Sequence, residues 1–167
     1  INQSPLPEVY NGKKNKKIKV GFYFDNPKEG HSVRKLFDGI IDSASQSEQE
    51  TWIITSPKCT ALQRQSICKL ANNSLQIHSS ISSAINQIRA LSLDALVFTE
   101  NCSSWVPYFL SMSRLAQIQI GTWGNPVTTG SSTMDYFISS ELIEPPNAQN
   151  NYRERLIQIT KLPARYI

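Results

Sequence analysis

Residues that ligate metals or form disulfides are scarce in this chain: 167 residues include three cysteines and two histidines. Cys59, Cys68 and Cys102 are odd in number and lack Cys-x-x-Cys spacing, so neither a disulfide framework nor a cysteine zinc site is indicated. They read as reduced structural thiols, the usual state in a cytoplasmic protein. His31 and His78 are too few, and too far apart in sequence, to suggest a metal centre, and no metal is expected. No apolar run approaches the roughly 20 residues needed to cross a bilayer, so no membrane span is expected. A Gly-x-Gly-x-x-Gly turn after the first β-rich run is missing, and so is a P-loop; the chain carries no dinucleotide or triphosphate signature of its own. Ile1 is neither an initiator methionine nor part of a signal sequence, and the chain reads as a piece of a longer polypeptide.

What is present fits one folded domain. Hydrophobic residues make up 40% of the chain, and the net charge of +4 owes much to Lys13, Lys14, Lys16 and Lys17. No aromatic side chains interleave with these lysines, so a solvated segment is a better reading than a nucleic-acid patch. With Pro5, Pro7, Asn11 and Gly12, residues 1–17 read as a linker or leader.

From Ile18 onward, short β-branched or aromatic runs alternate with helical periods. That alternation predicts an α/β fold, a Rossmann-like open and mostly parallel sheet with helices on both faces. The expected strands are Ile18 to Phe24, Thr51 to Thr55, Leu75 to Ile77, Ala95 to Thr99, Ile118 to Trp123 and Tyr136 to Ile138. The clearest helix spans Ser32 to Ser45, where Val33, Leu36, Phe37, Ile40, Ile41 and Ala44 fall on one face. Others are expected over Ile81 to Leu91 and Val106 to Leu115.

In such sheets the ligand crevice lies beyond the carboxyl ends of the strands. Asp25, Thr55, Glu100, Asn101 and the loop from Gly124 to Ser132 occupy those ends, and His31 joins them at the start of the first helix. Gly124 and Gly130 allow close backbone approach to a bound group, Pro126 stiffens the turn, and Thr128, Thr129, Ser131 and Ser132 offer hydroxyls. An ordinary connecting loop has the same composition. Glu100 and Asn101 either face the crevice or form a solvated strand end. A histidine at a helix amino terminus feels the positive end of the dipole, which favours a neutral ring. Asp135 and Tyr136, at the start of a strand, suit a structural job such as tying the loop to the sheet. Trp105 and Trp123 read as core or pocket-wall aromatics.

The stretch from Arg114 to Pro145 resembles the catalytic region of protein O-GlcNAc transferases and related bacterial glucosyltransferases. The matching residues are Arg114, Ala116, Gln119, Gly124, Pro126, Thr128, Thr129, Gly130, Asp135, Tyr136, Ile138 and Pro145. Weaker similarities lie in Val20-Gly21-Phe22, in Gly30-His31, in Tyr152 to Leu156 and in Leu162 to Tyr166. The resemblance implies that residues 18–167 are the amino-terminal lobe of a two-lobed GT-B glycosyltransferase. It implies transfer of GlcNAc or a hexose from a UDP-sugar to a protein acceptor, on Ser or Thr with Asn as an alternative, with inversion and without a metal. By the same resemblance His31 would be catalytic, and Gly124, Asn125, Pro126, Thr128, Thr129 and Gly130 would line the sugar pocket. A downstream second lobe would grip UDP, and the isolated chain is expected to be inactive. The pattern departs from the family at Asn125, where relatives often have His or Tyr, and in lacking a histidine near the strand that ends at Thr99. Two other readings stay open: a non-catalytic interaction module derived from a glycosyltransferase lobe, and a free-standing regulatory domain, which Asp25 alone supports poorly.

Overall fold

The computed structural model describes residues 17–161. The expected leader, apart from Lys17, and the Leu162 to Tyr166 similarity lie outside the described residues. Strands β1 (Lys19–Phe24), β2 (Glu50–Thr55), β3 (Asn73–Gln76), β4 (Ala95–Phe98), β5 (Ile118–Thr122), β6 (Tyr136–Ser140) and β7 (Arg155–Ile159) form one sheet. Its order is β3-β2-β1-β4-β5-β6-β7, and every neighbouring pair is parallel. The helices are α1 (Ser32–Ser45), α2 (Ala61–Cys68), α3 (Ile81–Ala90) and α4 (Trp105–Ser111), with a 3-10 turn at Ala148–Asn151.

Alternation along the strands divides the core between the two faces of the sheet. Phe22, Phe24, Ile53 and Val97 meet Val33, Phe37 and Ile41 of α1 and Ile67 of α2. Tyr23, Ile54, Leu96 and Phe98 meet Ala84 and Ile88 of α3 and Val106 and Leu110 of α4. Helices therefore cover both faces, as the sequence predicts.

The chain departs from expectation where its sequence is least periodic. α2 buries only Ile67 and so carries no apolar stripe to announce it. β7 was not expected either; Arg155 and Gln158 interrupt its apolar run, and its place at the sheet edge leaves Ile157 40% exposed. α4 stops at Ser111, short of the expected Leu115. Beyond it the Arg114 guanidinium pairs with Asp135, its nitrogens lying 2.5 and 3.0 Å from the two carboxylate oxygens.

The chain runs outward from β1 to β3 and returns to β4, so the order reverses between β1 and β4. That reversal opens a crevice at the carboxyl ends of these two strands. On the β5 side the construction differs, because neither the β5–β6 nor the β6–β7 link contains an α-helix. Residues 123–135 instead run as a loop from the carboxyl end of β5 back to the amino end of β6.

Candidate functional site

The crevice begins with Glu100, which follows β4 and is buried at 4% exposure. Its Oε2 accepts the main-chain N–H groups of Asp25 (3.1 Å) and Asn26 (3.2 Å), and so ties the loop after β1 to the end of β4. Its Oε1 lies 3.8 Å from Nδ1 of His31. Burial pushes the Glu100 carboxyl above its ordinary range, and the two N–H donors and His31 pull it part of the way back.

His31 is the N-cap of α1, where its Nδ1 accepts the Val33 N–H at 3.4 Å. Gly30 before it adopts a φ of +78°, a left-handed turn that glycine takes without steric cost, and this turn delivers the ring to the helix start. With Nδ1 accepting, the neutral ring carries its proton on Nε2, which makes no hydrogen bond among the described residues.

Asp25 stands beside this pair, its carboxylate accepting the Ser104 hydroxyl at 2.8 Å and the Tyr23 hydroxyl at 3.3 Å. Burial raises the Tyr23 phenol far above its usual range, and the Asp25 charge adds to the effect. Cys59 donates to the Asp25 carbonyl oxygen, and burial followed by the charges of Asp25 and Glu100 pushes its thiol up to about 12. It is therefore protonated and a poor nucleophile. Trp105, the first residue of α4, is half exposed at this rim, with the Lys58 ammonium 5.8 Å from its ring centroid.

Asn101 links this cluster to the Gly124 loop. Its Oδ1 accepts the Thr122 N–H (3.2 Å), its Nδ2 donates to the Val127 carbonyl (3.0 Å), and its own carbonyl accepts Asn125 Nδ2 (2.6 Å). The strand end is buried, not solvated: Glu100 and Asn101 are 4% and 0% exposed. Cys102 continues the turn with a φ of +59°, unusual for a residue other than glycine. Gly124 presses against β4, where an added Cβ would stand 1.9 Å from the Thr99 carbonyl oxygen. Its missing side chain serves packing at that point. Trp123 stacks on Phe37 with ring centroids 4.9 Å apart, in keeping with a core aromatic.

The remainder of the loop leaves the rim. Glu154, fully buried just before β7, accepts the Thr129 N–H at 2.8 Å and the hydroxyls of both Thr128 and Thr129. Ser131 and Thr133 donate to the carbonyl of Ser111 at the far end of α4. Gly130 turns between these anchors at a φ of +65°. Of the residues singled out by sequence, His31, Gly124 and Asn125 gather around the Glu100–Asn101 turn. Thr128, Thr129 and Gly130 sit further along, toward the end where the strands begin. Pro126 and Thr128 line a separate cleft of about 570 Å³ with Ile143, Glu144 and Tyr152.

Asp135 does the structural job expected of it, pairing with Arg114 and accepting the Gln119 N–H at 2.7 Å. Sequence reasoning gave Glu154 no role. Its signal was its place in the Tyr152 to Leu156 similarity; the two threonines it holds lie 25 and 26 positions earlier, and only the fold brings them together. Among the described residues no cluster of side chains suited to a metal occurs, and no helix is long and apolar enough to cross a membrane.

No protein-family pattern matches this chain, and no curated protein is similar to it in sequence. Among solved structures, a mutant O-GlcNAc transferase of Thermobaculum terrenum superimposes on 96% of the chain with a TM-score of 0.72. The two proteins share a fold. Their sequence identity is 18%, and this chain spans 31% of the transferase's length. The likeness in fold agrees with the expected Rossmann-like sheet.

Proposed function

We propose that this chain is the amino-terminal lobe of a GT-B protein glycosyltransferase that uses a UDP-sugar donor. The observation that carries the reading is the likeness in fold to an O-GlcNAc transferase, joined to the motif residue Gly124, with Asn125 beside it, at the same crevice as His31. In the reaction, a Ser or Thr hydroxyl oxygen of a cytoplasmic protein acceptor attacks the anomeric carbon from the face opposite UDP. The carbon–oxygen bond to the β-phosphate breaks, UDP departs with its electron pair, the hydroxyl proton is lost to water or a base, and the configuration inverts. Stabilising the departing negative charge is the main task, and the His31 Nε2–H suits it as a neutral donor at the crevice. The wall from Gly124 to Pro126 shapes the sugar side, and a second lobe grips the nucleotide. No metal takes part.

Joining the chain to the lobe that follows it in the parent tests this reading. The two-lobed protein turns over UDP-GlcNAc or UDP-glucose, His31→Ala slows it roughly 100-fold, and the 167-residue chain alone is silent. Turnover by the isolated chain, or none by the two-lobed protein, defeats it.

One observation favours a non-catalytic interaction module as the second reading. Trp105, Tyr108, Phe109 and Met112 place an exposed apolar stripe on one side of α4. An inactive two-lobed protein that still captures its partner through this helix would support that reading.

A further inference from the structure

We propose that Glu100 is a positioning residue for His31: its carboxylate faces Nδ1, competes there with the Val33 N–H, and so sets which protons the ring presents to a ligand at Nε2. The inference deepens the glycosyltransferase reading and takes from it only that a ligand meets Nε2.

The geometry leaves little freedom around the ring. Nδ1 lies 3.4 Å from the Val33 nitrogen and 3.8 Å from Glu100 Oε1. In the capped arrangement Nδ1 carries no proton and the neutral ring offers Nε2–H alone. A second proton, taken from water, goes to Nδ1; the Val33 N–H then loses its acceptor, and the new N–H needs one of its own. Glu100 Oε1 is the acceptor at hand. Its other oxygen stays fixed by the N–H groups of Asp25 and Asn26, so the carboxylate cannot swing away. Glu100 thus lets the imidazole become a cation beside a departing diphosphate with both N–H groups paired, the arrangement that a base held by a carboxylate uses elsewhere.

The other titratable groups turned toward this pair come from three elements: Tyr23 and Asp25 at the end of β1, Cys59 from the loop after β2, and Arg64 of α2 behind Cys59. Tyr23 and Cys59 stay protonated well above neutral pH, and Asp25 is already held by two hydroxyls. None offers an acceptor to Nδ1 among the described contacts.

Carbon-13 NMR of the Glu100 carboxyl in the 167-residue chain tests the coupling directly. His31→Asn retains a side-chain oxygen that caps a helix but removes the cation. In this variant the Glu100 carboxyl should titrate at a higher pH than in the wild type, because the lowering influence of His31 is gone. An unchanged midpoint overturns the proposal. A second variant reads the pair from the other side: in Glu100→Gln, the imidazole nitrogen-15 signals of His31 should leave their wild-type positions, because an amide replaces the carboxylate that faces Nδ1. Signals that stay at their wild-type positions overturn it equally. Neither measurement needs a nucleotide sugar, so an inactive two-lobed parent would defeat the glycosyltransferase reading while leaving this pair standing.

Discussion

At Gly124 a single hydrogen in place of a side chain decides whether the rim can close. The Thr99 carbonyl occupies the space a Cβ needs, and backbone cannot step aside as a flexible side chain does. Gly124→Ala should therefore cost about 3 kcal/mol or more, lowering the melting temperature by roughly 6 °C or more in a calorimetric scan. A variant that melts with the wild type would mean the loop relaxes freely. This role was only half legible in the sequence. The glycine suggested close approach, but composition cannot say whether a ligand or a neighbouring strand does the approaching. For Thr128 and Thr129 the ambiguity was larger, since free hydroxyls and hydroxyls committed to a buried carboxylate look the same in a sequence.

Among the elements, the stretch between β5 and β6 carries the most information. It behaves as a strap fastened at Asn101 near the crevice, at Glu154 in its middle and at Ser111 beside α4. Removing the middle fastening with Glu154→Ala leaves the N–H and hydroxyl of buried Thr129, and the hydroxyl of half-buried Thr128, without that acceptor. A loss of about 3 kcal/mol is expected, together with faster amide exchange at residues 127–131. Protection equal to the wild type would show that the outer fastenings suffice. Helix α1 was predicted with its observed bounds because its apolar positions recur at helical spacing and Val33, Phe37 and Ile41 are buried. Helix α2 and strand β7 escaped notice because the first buries one residue and the second lies at an edge, where little of the hydrophobic pattern is required.

For the whole molecule, the alternation of strand and helix sufficed to predict a parallel sheet covered on two faces, since each face must be hidden by something and only crossovers provide it. Tertiary pairing then decided which polar groups were buried, and Glu100 is the one whose burial reaches global stability. Its folded-state carboxyl is raised above the ordinary 4.5, so the folded chain holds the proton more tightly than the unfolded chain. Its stabilising contribution is complete below pH 4.5 and is lost as pH rises through the folded value. Glutamine imitates the protonated form, so Glu100→Gln should be more stable than the wild type at neutral pH, with the difference shrinking as pH falls through the folded value toward 4.5 and staying level below it. A gap that stays constant across a denaturant series at several pH values would contradict this.

Beyond β5 the chain returns twice without building an α-helix. That flank has no helical register to respect: a residue inserted into a helix turns every later side chain by about 100°, whereas one added to an exposed bend there only lengthens the bend. Evolution and engineering alike can therefore change the length of the links bordering β6 while the opposite flank, tied to its helices, holds the sheet in place.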